Sequence, residues 1–177
     1  MKLISLLEKL EYTCLQGSTD QEVKNVIYDS RKVEEGSLFI CIRGAVVDGH
    51  KFVPDVVAKG AKVLIVEEAV EAPEDVTVIL VKDTRYAMAF ISAAYFGYPA
   101  EKLKTIGITG TKGKTTTTYM VKSILENAGY KVGLIGTIEA IIGDKVIPAK
   151  NTTPESYVIQ EYFHEMAEAG CDCGVME

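Results

Sequence analysis

The N-terminal part of the chain alternates short apolar runs with segments whose apolar residues recur at helical spacing. The apolar runs are rich in β-branched and aromatic residues, which is typical of buried strands. They begin at Val26 and continue at 37–42, 62–67 and 76–81. Residues 51–60 and 84–97 have the helical spacing, and each of these segments ends at a glycine. The pattern predicts a small sheet with helices packed on it.

The pattern then breaks and starts again. Gly97, Pro99 and a charged stretch interrupt it, so we place a domain boundary near residues 98–103 and predict domains at 1–100 and 101–177. The second part reads as a strand, a helix and a further strand, which is a βαβ unit. A hairpin turning at Gly143-Asp144, a helix and a last strand follow. These elements are expected at 104–110, 114–128, 131–136, 137–150, 155–169 and 173–177.

Together the two parts predict an α/β protein: a small N-terminal α/β domain followed by the start of a parallel-sheet domain. The chain ends at Glu177, inside its last apolar run. A parallel sheet needs several αβ units to cover both of its faces. We therefore expect this sequence to be part of a longer protein.

Composition and charge narrow the class of protein. With 47% hydrophobic and 25% charged residues, the chain is expected to be globular. Its net charge of −6 argues against nucleic-acid binding, which needs a basic surface. No apolar run approaches the length of a membrane span. The N-terminus, MKLISLLEKLEY, has leucines at helical spacing but no signal-peptide cleavage pattern, which predicts a cytoplasmic protein without membrane contact.

The cysteines and histidines give no sign of a metal centre. Four cysteines are too few and too scattered for a disulfide framework, and buried strand positions are expected for them. The two histidines, His50 and His164, lie far apart in the sequence. His50 follows Asp48-Gly49 and is expected to order that loop by hydrogen bonding, whereas His164 is expected on a solvated helix face.

The strongest chemical signal is ITGTKGKTTTTYM, residues 108–120, at the predicted turn from strand to helix. Unpaired N–H groups and the helix dipole make such a turn a phosphate site. Gly110 and Gly113 let the backbone approach closely, Lys114 would neutralise β- and γ-phosphate charge, and the Thr115 hydroxyl could coordinate Mg²⁺. The strict P-loop spacing requires glycine at position 108, where this chain has isoleucine.

The segment TGTKGKTTTTYM resembles the ATP loop of Mur ligases and folylpolyglutamate synthases, whose pattern is T-G-T-x-G-K-T-T, and this accounts for Ile108. Residues 29–52, DSRKVEEGSLFICIRGAVVDGHKF, are similar to a signature that MurE and MurF share and that folylpolyglutamate synthases lack. GLIGTI at 133–138, NTTPES at 151–156 and the terminal VME resemble the MurE type. The resemblance covers nearly the whole chain.

The resemblance implies an N-terminal domain that binds the UDP end of the substrate, then the first part of an ATP-binding domain. Ligases of this type use ATP and Mg²⁺ to add a diamino acid to the D-glutamyl carboxylate of UDP-MurNAc-L-Ala-D-Glu through an acyl phosphate, in peptidoglycan synthesis. The added residue is meso-diaminopimelate or L-lysine, and the sequence leaves that choice open. A monomer is expected. Because the family's further catalytic parts would lie beyond residue 177, no ligase activity is expected of this chain alone.

The resemblance also assigns site residues, position by position. Lys114 and Thr115 are the candidate catalytic residues, and Thr115 and Glu177 the candidate Mg²⁺ ligands. The candidate ATP-binding residues are Gly110, Thr111, Lys112, Gly113, Lys114, Thr115 and Thr116. The candidate substrate-binding residues are Tyr28, Ser30, Ala45, Val46, Val47, Asn151, Thr152 and Thr153.

Alternatives remain open on the residues themselves. Arg31 or Arg43 could face a pyrophosphate through the planar fork of the guanidinium, or could be solvated surface residues. Asn151, Thr152 and Thr153 could serve only as a helix cap before Pro154. For the whole chain, the alternatives are a MurF-type ligase and an unrelated P-loop kinase or nucleotide-binding module.

Overall fold

The computed structural model describes residues 1–44 and 47–177. The chain forms two compact units, residues 1–95 and 96–177. Each unit has its own sheet and its own hydrophobic core. None of the helices in the described part of the chain is both long enough and apolar enough to cross a membrane.

Unit 1, residues 1–95, is built on a five-stranded sheet with the order β1-β5-β4-β3-β2. Its strands are β1 Thr13–Gln16, β2 Asn25–Ile27, β3 Ser37–Ile40, β4 Val63–Val66 and β5 Thr77–Leu80. Strands β2 to β5 are parallel, and β1 joins β5 antiparallel at one edge. Every residue of β3 and β4 is buried, as expected for central parallel strands covered on both faces.

Strand β1 was not predicted, because its sequence TCLQ has neither an apolar run nor an apolar alternation. Its residues are mostly exposed, and exposed positions do not need the apolar residues that mark a buried strand in the sequence. Cys14 lies on this edge strand and is exposed, so the expectation of four buried cysteines is wrong there. Cys41, Cys171 and Cys173 are buried, as expected.

The helices of unit 1 are α1 Leu3–Leu6, α2 Val53–Ala58 and α3 Thr84–Tyr95, with single 3₁₀ turns at Ser30–Lys32 and Gly49–Phe52. The helix predicted over 51–60 is therefore divided into a 3₁₀ turn and α2. Pro54 lies in the first turn of α2, the place where its missing N–H costs nothing. Asp48 caps the 3₁₀ turn by accepting from the N–H of His50.

Unit 2, residues 96–177, carries the second sheet, with the order β6-β10-β7-β8-β9. The strands are β6 Lys104–Gly107, β7 Val132–Ile135, β8 Glu139–Ile142, β9 Lys145–Pro148 and β10 Cys173–Met176. Its helices are α4 Lys114–Asn127 and α5 Ser156–Glu168, with a 3₁₀ turn at Pro99–Lys102. The predicted hairpin is confirmed, since β8 and β9 pair antiparallel around Gly143-Asp144.

The last strand of the sequence occupies an interior position in this sheet. Strand β10 pairs parallel with β6 on one side and with β7 on the other, so the two strands of the predicted βαβ unit are not neighbours. Parallel strands bring their carboxyl ends to one edge, where ligands of such sheets commonly bind. Glu177, the loop after β6 and the loop after β7 therefore meet at that edge.

Candidate functional site

The loop after β6 ends in a glycine that starts α4. Gly113 has φ of 78°, a left-handed conformation that favours glycine, and it is the N-cap residue of the helix. Lys114 is the first residue of α4, and its Nζ donates to the backbone oxygen of Gly110 at 3.1 Å. The loop thus closes on its own lysine, whose ammonium group lies beside the N-terminus of a 14-residue helix.

The four threonines that follow Lys114 have different partners. Thr117 and Thr118 donate to backbone oxygens of the helix, those of Gly113 and Lys114, each at 2.8 Å. Thr116 is exposed. Thr115 instead donates to Glu177 Oε2 at 3.1 Å, which brings together the two residues predicted to bind Mg²⁺.

Glu177 is a buried carboxylate, with 8% of its surface exposed. Oε1 accepts from the Thr137 N–H at 3.1 Å, and Oε2 accepts from the hydroxyls of Thr115 and Thr137 at 3.1 and 3.0 Å. Among the residues that the structure describes, no cationic side chain pairs with it. A buried carboxylate with hydroxyl neighbours and no basic partner has the hard oxygen donors that Mg²⁺ prefers, so these residues fit the predicted ion.

The loop before α5 contacts the backbone of Glu177 and the side chain of Thr137. Thr153 Oγ1 donates to the backbone oxygen of Glu177 at 3.0 Å, and Thr152 Oγ1 lies 3.1 Å from Thr137 Oγ1. Asn151 is exposed. The N-cap of α5 is Glu155, without a side-chain cap. Thr152 and Thr153 therefore do not serve as a helix cap, which removes that alternative for them.

A tyrosine on α4 contacts a second carboxylate, that of Glu139. The Tyr119 hydroxyl donates to Glu139 Oε1 at 2.8 Å. Burial, this hydrogen bond and the negative charges of Glu139 and Glu177 raise the pKa of Tyr119 from 10.0 to about 12. At neutral pH the residue is a hydroxyl donor that holds Glu139 in place.

The raised pKa of Tyr119 predicts a pH dependence of stability. A raised folded-state pKa contributes stability that is fully present below pH 10, the unfolded value, and is lost as the pH rises to about 12. Absorbance at 295 nm should show a tyrosine ionisation step near pH 12, and Tyr119→Phe should remove that step. Glu139→Gln should shift the step toward pH 10, while circular dichroism monitors the fold. A Tyr119→Phe difference spectrum that titrates near pH 10 would contradict the assignment.

In unit 1 the predicted substrate residues line a cavity at the carboxyl ends of β2 and β3. Tyr28, Ser30 and Val47 line this cavity of about 470 Å³, together with apolar side chains that include Phe39 and Phe52. Ala45 and Val46 lie outside the described residues. A larger cavity, about 620 Å³, between residues 9–11 and 81–87 contains none of the predicted residues.

The two arginines proposed for a pyrophosphate are engaged with carboxylates. Arg31 donates from Nε and Nη2 to the two oxygens of Asp29, at 2.9 and 2.7 Å. This holds the pKa of Asp29 down to about 2. Arg43 donates to Glu68 at 2.6 Å and lies 3.5 Å from carboxylate oxygens of Asp48 and Glu67.

A lysine that the sequence did not indicate lies near the same cavity. Lys59 Nζ donates to the backbone oxygen of Ser30 at 2.7 Å, and thus puts a positive charge beside a residue that lines the cavity. The contact joins positions 29 residues apart. No local motif could have pointed to it.

The histidine predictions have opposite outcomes. His50 orders its loop as expected: Nε2 accepts from the Glu67 N–H at 2.9 Å, and Nδ1 lies 2.6 Å from Asp48 Oδ1. An accepting Nε2 leaves the proton on Nδ1, which therefore donates to Asp48. His164 is half-buried against the ring of Phe96, so the expectation of a solvated histidine is wrong. Its ring lies on a face of α5 that packs within unit 2.

The chain thus forms two α/β units, and in the second a turn of glycine, lysine and threonine residues connects a parallel strand to a helix. Two family models match: residues 22–96 match "Mur ligase family, catalytic domain" and residues 108–177 match "Mur ligase middle domain". These matches cover most of the chain. The chain belongs to the Mur ligase family.

A curated relative agrees with this membership, and two solved structures share the fold. The chain is 52% identical over 177 residues to the UDP-N-acetylmuramoyl-L-alanyl-D-glutamate–2,6-diaminopimelate ligase of Clostridium perfringens. The alignment covers the whole of this chain and 37% of the length of that protein. A solved structure of a ligase with the same description superposes with a TM-score of 0.74 at 21% identity, over 99% of this chain and 35% of that one. The structure of Thermotoga maritima MurF in complex with ADP superposes with a TM-score of 0.54 at 21% identity. It covers 86% of this chain and 31% of that one.

Proposed function

We propose that this chain provides the first two domains of an ATP-dependent ligase that adds 2,6-diaminopimelate to UDP-MurNAc-L-Ala-D-Glu. The observation that carries the proposal is the contact between Thr115, in the first turn of α4, and the buried carboxylate of Glu177. The name of the 52% identical relative supports diaminopimelate over L-lysine, which the sequence left open. It also supports this reaction over that of a MurF-type ligase or a non-ligase P-loop protein.

The proposed reaction requires activation of a carboxylate, since a carboxylate and an amine do not condense spontaneously in water. In the proposal the D-glutamyl carboxylate attacks the γ-phosphorus of ATP, ADP leaves, and the amine of diaminopimelate then displaces phosphate from the acyl phosphate. Phosphoryl transfer requires positioning and charge stabilisation rather than a nucleophilic side chain. Lys114 and the N–H groups at the start of α4 would supply these to the phosphates.

Thr115 and Glu177 would hold Mg²⁺, which would neutralise charge on the transferring phosphoryl group. The remaining loop residues, Gly110, Thr111, Lys112, Gly113 and Thr116, would surround the phosphates mainly through their backbone. The hydrogen bonds of Thr115 and Thr137 hold the carboxylate of Glu177 in a fixed orientation. Such preorganisation lowers the cost of ordering the site when its ligands bind.

The proposed domains are residues 1–100 and 101–177, and each is proposed to contribute substrate-binding residues. Tyr28, Ser30 and the loop at 45–47 would hold the uridine nucleotide in the 470 Å³ cavity, and Lys59 would add positive charge for its pyrophosphate. Asn151, Thr152 and Thr153 would contact the muramoyl-peptide portion. Such a ligase is proposed to act as a monomer in the cytoplasm, where its nucleotide substrates occur.

The first test is calorimetric titration of the 177-residue chain with UDP-MurNAc-L-Ala-D-Glu. We expect saturable binding, weakened about 3- to 10-fold by Ser30→Ala, the usual effect of losing one neutral hydrogen bond. Ser5→Ala, an equivalent change at an exposed position of α1, is the control and should leave the affinity unchanged.

The outcome also separates the alternatives. Preference for the UDP-muramoyl tripeptide over the dipeptide would favour a MurF-type ligase. Absence of binding to either ligand, by a chain whose circular dichroism shows it folded, would contradict the proposal for unit 1 and favour a nucleotide-binding module without this ligase chemistry.

A further inference from the structure

A threonine outside every predicted site connects a residue assigned to Mg²⁺ with a residue assigned to the substrate. Thr137 follows β7 and is exposed, yet its backbone N–H and its hydroxyl both bond to the buried carboxylate of Glu177, at 3.1 and 3.0 Å. The same hydroxyl lies 3.1 Å from that of Thr152. One side chain thus contacts the candidate cation ligand and a candidate substrate-binding residue.

The direction of these hydrogen bonds follows from the chemistry of the groups. A carboxylate can only accept, so the single proton of the Thr137 hydroxyl points to Glu177. The Thr137 oxygen must then accept the proton of Thr152. The chain of donors runs from Thr152 through Thr137 to Glu177. It leaves the Thr152 oxygen with free lone pairs, which suit an N–H donor of a bound peptide.

The residue before Thr137 is shaped for the same contact. A Cβ added to Gly136 would lie 2.6 Å from Glu177 Oε1, closer than Cβ atoms approach an oxygen in folded proteins. Glycine at 136 therefore permits the approach of the Thr137 N–H to that oxygen. The sequence Gly136-Thr137 combines a missing side chain with two donors directed at one carboxylate.

We propose that Thr137 is a positioning residue for both ligands: it orients Glu177 toward the nucleotide site and Thr152 toward the peptide portion of the substrate. The proposal rests on the proposed function. It predicts that removing the Thr137 hydroxyl lowers the affinity for two ligands whose other contacts differ. A residue that belongs to a single site would affect only its own ligand.

The test measures two affinities of the 177-residue chain by calorimetry, one for ADP with MgCl₂ and one for UDP-MurNAc-L-Ala-D-Glu. Thr137→Val keeps the shape and the backbone N–H but removes the hydroxyl. We expect it to weaken each ligand about 3- to 10-fold, as for a lost hydrogen bond. Thr137→Ser should restore both affinities, which a purely steric effect of the substitution would not allow. Thr105→Val, the same change at an exposed position of β6, is the control.

The outcomes are distinct. If Thr137→Val leaves both affinities unchanged, or weakens only one, Thr137 does not serve both ligands and the inference is wrong, while the proposed function stands. If the folded wild-type chain binds neither ligand, both the inference and the proposed function are wrong. If Thr137→Val unfolds, Thr137→Ser decides: wild-type affinities support the hydroxyl as the functional group, and loss of both with a wild-type melting temperature contradicts it.

Discussion

Lys114→Ala is expected to weaken binding of the β,γ-imido analogue of ATP to this chain by about 10- to 150-fold, since hydrogen bonds to charged groups contribute about 1.5–3 kcal/mol. In the structure the Lys114 ammonium group lies at the first turn of α4 and donates to Gly110. It is therefore already held beside the backbone N–H groups that would receive the phosphates. Titration calorimetry with MgCl₂ present measures the change directly.

Three further variants make this prediction specific. Lys114→Arg keeps the charge but replaces a compact ammonium with a planar guanidinium, so partial recovery is expected. Lys112→Ala, in the exposed part of the same loop, should have a smaller effect than Lys114→Ala. Lys122→Ala, two turns further along α4 and paired with Glu126, should have none. Equal losses for Lys114→Ala and Lys122→Ala would show that general charge, not the loop geometry, attracts the nucleotide.

Local features of this site could be predicted from the sequence because they depend on neighbours in the chain. The predicted start of α4 at Lys114 is confirmed, next to a glycine that can adopt the left-handed N-cap conformation. The hairpin at Gly143-Asp144 follows from a two-residue turn between apolar runs. In each case the relevant partners lie within a few residues.

The missed features depend on strand order and on long-range pairing. Nothing local indicates that β10 enters between β6 and β7, yet this places Glu177 beside Thr137, 40 positions away. The contact of Lys59 with the backbone oxygen of Ser30 likewise joins positions 29 residues apart. The residue types could be predicted, whereas their partners required the fold.

The arrangement of the described polar residues also explains why a single carboxylate can organise the edge of unit 2. Glu177 receives its donors from three different segments: the start of α4, the loop after β7 and, through its backbone oxygen, the loop before α5. Each segment alone is a short polar turn. Together they form one hydrogen-bonded group, and a change in any of them should be felt at the others.

Gly49→Ala is expected to lower the free energy of unfolding of unit 1 by about 1–3 kcal/mol, the usual cost of forcing extra atoms into a packed site. A Cβ at Gly49 would lie 2.8 Å from both the backbone nitrogen and the backbone oxygen of Ile42, and 3.0 Å from the carbonyl carbon of Cys41. These are backbone atoms next to the buried strand β3, so no flexible side chain can move aside. The turn must open instead.

Opening that turn should also affect the substrate cavity. The Gly49 N–H donates to the Ile42 oxygen at 2.8 Å, and both residues line the 470 Å³ cavity. Hydrogen–deuterium exchange should therefore accelerate in peptides from β3 and β4 but not in those from β7 and β10, and UDP-MurNAc-L-Ala-D-Glu should bind more weakly. Gly107→Ala, where a Cβ would meet nothing within 4 Å, is the stability control. Wild-type exchange rates in Gly49→Ala would mean that residues 42 and 49 separate without cost, and that the close contact does not hold the cavity wall in place.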